Sequence, residues 1–300
     1  MTRTKSGAAA LSIASNAILI ALKLAAGAIT GSIAIITEAI HSLIDLVASV
    51  IAFISVRKAD EPADEEHPYG HEKVENLAAT IEGILILVGA AVIVYEATHR
   101  LVAGSSVETL GVGIAVMAIS VIANLIVSTV LSRQARASDS PALEGDAAHL
   151  RTDALTSLGV LVGLALVQIT GAAAFDSITA LIVAGAIVWA GLSIVRRSSG
   201  VLIDETLPEA EMDRIEAAIA TARTPEVAGY HKLRARRAGS RRHIDFHVQY
   251  RSGTSLERAH ELAHEMRDSI EAEIPQAEVL IHAEPETSFR EREEGPYRSG

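Results

Sequence analysis

Apolar residues crowd the first two thirds of the chain and thin to ordinary density after Gly200. Before that point they form runs of about 20 residues, the length that carries a helix across roughly 30 Å of hydrocarbon. The runs are Ala8–Ile29, Ser32–Val56, Leu77–Ala97, Leu110–Leu131, a fifth that ends near Thr170, and Ser177–Val195. The first follows a basic start, Arg3 and Lys5, and superficially resembles a signal peptide. It is too long for one, and a second span follows almost at once, so it reads as the first transmembrane helix. Asn16 and Lys23 interrupt it, and Lys23 is expected to snorkel or pair with a carboxylate. Gly27–Gly31 predicts a tight hairpin between the first two spans. The start of the fifth span stays open. Unbroken apolarity begins at Ala154, helical residues reach back to Ala142, and hydropathy alone leaves His149 near the membrane edge.

From Asp204 the periods change. Pro208–Arg223 has helical spacing, Tyr230–Arg236 and His243–Tyr250 alternate as strands around a Gly239-Ser240 turn, Ser255–Ile274 is helical with Ser255 as its cap, and Ala277–Ala283 is a last strand. The predicted fold class is an α-helical membrane protein. Residues 1–203 hold six transmembrane helices, 204–286 form a cytosolic α/β domain of order α-β-β-α-β, and the charged, unpatterned 287–300 is expected to be a disordered tail. Arg and Lys fall almost wholly on one side of this arrangement, at Arg3, Lys5, Arg57, Lys58, Lys73, Arg133, Arg136, Arg151, Arg196 and Arg197. That bias predicts both termini in the cytoplasm.

Composition narrows the chemistry. Hydrophobic content of 49% and a mean hydropathy of +0.31 are too apolar for an ordinary soluble domain. A formal charge of −11 excludes a nucleic-acid binder and suits a protein that attracts cations. There is no cysteine, so any metal must be held by His, Asp or Glu.

Those residues occur in pairs. Thr37–Leu46 places His41 and Asp45 four apart, on one helix face, inside an apolar span. His149 and Asp153 repeat the spacing in the fifth. Ionisable groups at membrane depth are costly and mark ion sites by default. Two imidazoles with two carboxylates suit four-coordinate Zn²⁺, whereas Mg²⁺ or Ca²⁺ would call for more oxygens and Cu(I) for sulfur. Four protein ligands leave no open position for activating water, so the pairs point to transport rather than catalysis. Glu38, Glu82 and Asn124 are the other polar intramembrane positions; Glu38 could relay protons, and helix–helix hydrogen bonding is the plainer role.

Six spans, the two His-x-x-x-Asp pairs in the second and fifth, and a trailing α/β domain together resemble the cation diffusion facilitator family, over Ala8 to Glu286. The resemblance implies a homodimeric zinc/proton antiporter of the cell membrane, in contact with lipid, divalent metal ions and protons, whose cytosolic domain has a metallochaperone-like fold. Many bacterial members carry Asp where His41 stands, and the His variant implies a stronger preference for Zn²⁺ over Cd²⁺. Asp64, His67 and His71, in the family-specific stretch His67-Pro-Tyr-Gly-His71-Glu-Lys73, match a loop-held zinc site. Lys73 matches a position that pairs with an acidic residue after the sixth span, here Asp204. His231, His247, His260, His282 and Glu284 match a cytosolic zinc site at the dimer interface; His243 and His264 read as surface histidines. Two other readings remain. His260-Glu-Leu-Ala-His264 spells H-E-x-x-H and would make a membrane-anchored zinc hydrolase, and a non-transporting metal sensor would use the same ligands.

Overall fold

A computed structural model describes the backbone of residues 4–30, 33–103, 111–172 and 174–288. Within these it leaves out the side chains of residues 27, 30, 33–38, 40, 41, 44, 103, 111–114, 116, 117, 160, 164, 168, 176 and 288. Two compact units result, Met1–Ser199 and Gly200–Gly300. The expected disordered tail lies, from residue 289 on, outside the described residues.

Six long helices build the first unit: α1 (Lys5–Thr30), α2 (Ile33–Ala59), α3 (Lys73–Ala103), α4 (Gly111–Ser138), α5 (Pro141–Thr170) and α6 (Ala174–Leu202). Five of them, all but α2 among the described residues, contain stretches long and apolar enough to cross a membrane. The pattern of burial is that of a bundle in lipid. Alanines such as Ala8, Ala52, Ala90, Ala142 and Ala147 fill the interior, while Ile18, Val92, Ile126 and Trp189 face outward. Small residues let helices approach closely where lipid removes the hydrophobic drive to associate. α4 and α6 run about two turns past the apolar runs that predict them, because helix-forming polar residues such as Arg133, Gln134 and Arg136 continue beyond the apolar stretch. The predicted hairpin at Gly27–Gly31 is corrected in part: α1 continues through Thr30, and residues 31–32 lie outside the described ones.

α5 is the hub, packing on α4, α3, α2 and α1. Its start is settled by local chemistry. Ser140 has extended backbone and accepts from the Leu143 amide, and Pro141 occupies the first turn, where its missing N–H costs nothing. The helix is therefore continuous from Pro141, and His149 lies inside it and buried. One end of the bundle is knotted by charge. Lys5 reaches Glu75 at 3.0 Å and Asp60 at 3.4 Å, and Ser140 donates to the other oxygen of Glu75. The starts of α1, α3 and α5 and the end of α2 thus share one end of the bundle.

The second unit is a three-stranded sheet with helices on one face, in the expected order. It comprises α7 (Glu209–Ala222), β1 (Val227–Ala238), β2 (Arg241–Tyr250), α8 (Leu256–Glu273) and β3 (Ala277–Pro285). β1 and β2 are antiparallel through a two-residue turn in which Gly239 takes φ +54, and β2 and β3 are parallel, joined by α8 as a crossover. Ile244, Phe246, Val248 and Tyr250 alternate inward from β2 against Ile215 and Ile219 of α7 and Leu262, Met266 and Ile270 of α8. The residues between them face the other side of the sheet.

Candidate metal centres

The first centre forms where α2 crosses α5. Asp45 Oδ1 is 3.2 Å from His149 Nε2, and Asp153 Oδ2 is 3.9 Å from the same nitrogen. One ligand atom from each of Asp45, His149 and Asp153 lies within 4.8 Å of the other two, close enough to surround a single ion. Asp45 and His149 are each 6% exposed, so the groups are held away from water. Four-residue spacing puts His149 and Asp153 on one face of α5, and the helix crossing turns that face toward Asp45. The side chain of His41 lies outside the described residues; its helix position, one turn before Asp45, is within α2.

Two buried carboxylates stand beside this centre. Glu82 of α3 is fully buried, with Oε2 at 3.9 Å from His149 Nδ1. Asp146, one turn before His149, is also fully buried, and its Oδ1 accepts from Ser49 at 2.9 Å and Ser12 at 3.2 Å. Asn16 donates to Ser49 at 2.9 Å, so both interruptions of α1 find partners: Lys23 donates to Ser42 at 2.6 Å. Lys23 is 5% exposed and held inside the bundle. Asp146 was not among the sequence-predicted residues. Its spacing from His149, three residues on one helix face, is the signal that points to it. Asn124 is buried on α4, and the Glu38 side chain lies outside the described residues.

The second cluster lies between α2 and α3. Asp64 Oδ1 accepts from the His67 amide at 2.6 Å and lies 3.2 Å from His67 Nδ1, while Oδ2 is 3.2 Å from His71 Nε2. The amide of His67, then its side chain and the nearby His71, hold the Asp64 carboxyl below the usual carboxylate range despite some desolvation. Gly70, at φ +87, turns the chain so that the His67 and His71 rings come within 4.5 Å. Neither ring nitrogen of His71 has a hydrogen-bond partner among the described residues, and Nε2, the one turned toward Asp64, fits a nitrogen free to take a metal. Lys73 then opens α3. Its expected partner Asp204 belongs to the other unit, where it accepts from Arg236 at 3.2 Å.

The third cluster is a product of sheet register. His231 of β1 is paired with His247 of β2, and His247 with His282 of β3, so three imidazoles stand in one row across three strands. Ring centroids are 5.1 and 4.7 Å apart, close to the spacing of neighbouring strands. Glu284 faces all three: its oxygens lie 3.0 Å from His231 Nε2, 2.6 Å from His247 Nδ1 and 3.5 Å from His282 Nε2. One carboxylate shared by three nitrogens fits a zinc-type donor set. His260 is not brought to this row within the chain. It sits exposed on α8, in the helical layer on the other side of the sheet, with its ring 4.3 Å from that of His264. Among the described residues no third ligand joins that pair. His243 departs from its expected surface position: it is 8% exposed and 3.4 Å from Glu278.

Comparison with known proteins agrees with both units. The profile of the cation efflux transmembrane domain matches residues 9–203, and that of the cation efflux protein cytoplasmic domain matches 207–286. An uncharacterized transporter of Synechocystis sp. is 35% identical over 92% of this chain and 89% of its own. The cation-efflux pump FieF of Shewanella oneidensis is 32% identical over 91% of this chain and 92% of its own. A solved zinc-form structure of CzrB matches at 34% identity over 29% of this chain and 98% of that one, with a TM-score of 0.28. The helical bundle with its apolar outer face and the small sheet domain that follows it in the chain are those of an integral membrane protein of cation efflux, and the chain belongs to the cation diffusion facilitator family.

Proposed function

We propose that the chain exports divalent metal ions, Zn²⁺ foremost, from the cytosol across the cell membrane in exchange for protons, as a secondary transporter with both termini cytoplasmic. One observation carries the reading: Asp45, His149 and Asp153 present ligand atoms to one point inside the helical unit. His41, one turn before Asp45, completes a set of two nitrogens and two oxygens suited to tetrahedral zinc. The donor set also supplies the coupling. A neutral imidazole binds metal and a protonated one cannot, so protons entering from the far side compete for the same atoms and release the ion. The emptied site returns protonated, and the proton gradient drives export.

The two outer clusters are read as resident sites. Asp64, His67 and His71 would hold one ion at the loop, and His231, His247, His282 and Glu284 would hold zinc on the open face of the sheet, where it would tie two copies together. A partner copy is the source of a His260 side chain that the chain itself keeps on the opposite face. Domain limits at 1–203 and 204–286 belong to this reading.

Zinc flux into proteoliposomes under an imposed pH gradient tests it. Asp45→Ala and Asp153→Ala should each bring flux to the level of protein-free vesicles, and collapsing the gradient should stop net transport. Flux that survives either substitution removes the transport-site assignment. A hydrolase using His260 and His264 would instead be silenced by Glu261→Gln, which transport should tolerate.

A further inference from the structure

Glu82 is fully buried on α3, and among the described residues neither carboxyl oxygen has a hydrogen-bond partner. Leaving such a group unpaired costs ~1–3 kcal/mol or more, so its place in the bundle calls for a function. It faces His149. Oε2 lies 3.9 Å from Nδ1, a nitrogen that is likewise buried without a hydrogen-bond partner among the described residues.

The imidazole divides the two sides. Nε2 is directed at Asp45 and Asp153, and Nδ1 at Glu82. A metal on Nε2 takes the lone pair there and leaves the ring proton on Nδ1, which then needs an acceptor. The two ring nitrogens point away from each other, so Glu82 cannot share an ion held by Nε2; it reaches that ion only through the ring.

The helix crossing is built to keep this contact. A Cβ placed on Gly145, one turn before His149, would lie 3.2 Å from Glu82 Cβ, 3.3 Å from its Cγ and 3.2 Å from Ala79 Cα. The missing side chain lets α3 lie directly over the turn of α5 that precedes the ligand.

We propose that Glu82 is a positioning residue of the transport site, accepting a hydrogen bond from Nδ1–H of His149 so that Nε2 is fixed toward the metal. A movement of about 1 Å brings the 3.9 Å separation to hydrogen-bond length. The inference rests on the transport-site reading above and adds a residue that lies outside the two His-x-x-x-Asp pairs.

The test is zinc flux in proteoliposomes at a fixed pH gradient, with the melting temperature of the detergent-solubilised full chain measured alongside. Glu82→Leu keeps the bulk and removes the acceptor. It should raise KM for Zn²⁺ by about 10–100-fold, the usual effect of losing a partner behind a metal ligand. Its melting temperature should hold or rise, because an unpaired buried carboxyl group has been replaced by an apolar one. Glu82→Gln retains an acceptor oxygen and should stay within about threefold of the native KM, since the hydrogen bond rather than the charge sets the ring. A native KM for Glu82→Leu, or equal damage in Glu82→Gln and Glu82→Leu, overturns the proposal. Should the leucine variant not fold, Glu82→Met, unbranched and of similar length, carries the same expectation. If Asp45→Ala and Asp153→Ala abolish flux while Glu82→Leu does nothing, the positioning role alone is lost. If the aspartate variants transport normally, the underlying site reading fails.

Discussion

At the scale of single residues, the buried polar groups of the bundle show why so few were affordable in lipid. Asp45 lies against His149, Asp146 is clamped by Ser12 and Ser49, and Lys23 donates to Ser42. Each is paired across helices, as the low dielectric demands. His41 is the residue on which selectivity should turn. His41→Asp exchanges a nitrogen for an oxygen, and the ratio of cadmium to zinc flux is expected to rise by about tenfold, equivalent to ~1.4 kcal/mol. Competition flux in proteoliposomes measures it, and a ratio unchanged within about twofold would separate selectivity from this position. The two His-x-x-x-Asp pairs were legible in the sequence because an ionisable pair in an apolar run has few innocent explanations. Glu82 and Asp146 were less legible. Which face of α3 meets α5 is decided by packing, so the lone Glu82 carries no address, whereas the signal for Asp146 was its spacing from His149. His243 misled for the converse reason, since strand alternation gives the face but not what covers it.

At the scale of elements, helix existence followed from hydropathy and helix ends did not. Hydropathy reports the bilayer, whereas the backbone continues wherever caps and propensity allow. The start of α5 illustrates this: Ser140 followed by Pro141 is a helix-start signal that apolarity, beginning at Ala154, conceals. Ser140 has two duties there, accepting from the Leu143 amide and donating to Glu75. Ser140→Ala should cost about 1 kcal/mol for the cap and another 1–3 for the abandoned buried carboxylate oxygen. Thermal unfolding in detergent would show it as a lower midpoint, with Ser140→Thr close to native; an unshifted alanine variant would mean that α5 does not depend on this cap. In the sheet, the order of strands and the alternation of β2 were readable from the sequence. The meeting of His231, His247 and His282 was implied only by the family resemblance and not by the strand pattern, because register between distant strands is fixed by the turn at Gly239-Ser240 and by the α8 crossover.

For the whole molecule, the sheet row predicts a linkage between metal and assembly. If zinc at His231, His247, His282 and Glu284 bridges two copies, zinc should strengthen dimerisation of the full chain, and Glu284→Ala should erase that effect while leaving zinc-free association unchanged. Sedimentation of the detergent-solubilised protein with and without zinc decides it; equal dimer strength in both conditions would remove the bridging reading of the row. The knot of Lys5, Asp60, Glu75 and Ser140 has a mechanical side as well. It fastens α1, α2, α3 and α5 at one end of the bundle, so a rocking motion of these helices would pivot at that end. From Ala59 back to Asp45, α2 is an arm of about 21 Å, and a tilt of about 10° at its base sweeps the carboxylate through almost 4 Å. Metal–ligand bonds are only about 2 Å long, so if Asp45 holds the transported ion, as proposed, a rotation that small would be enough to release it.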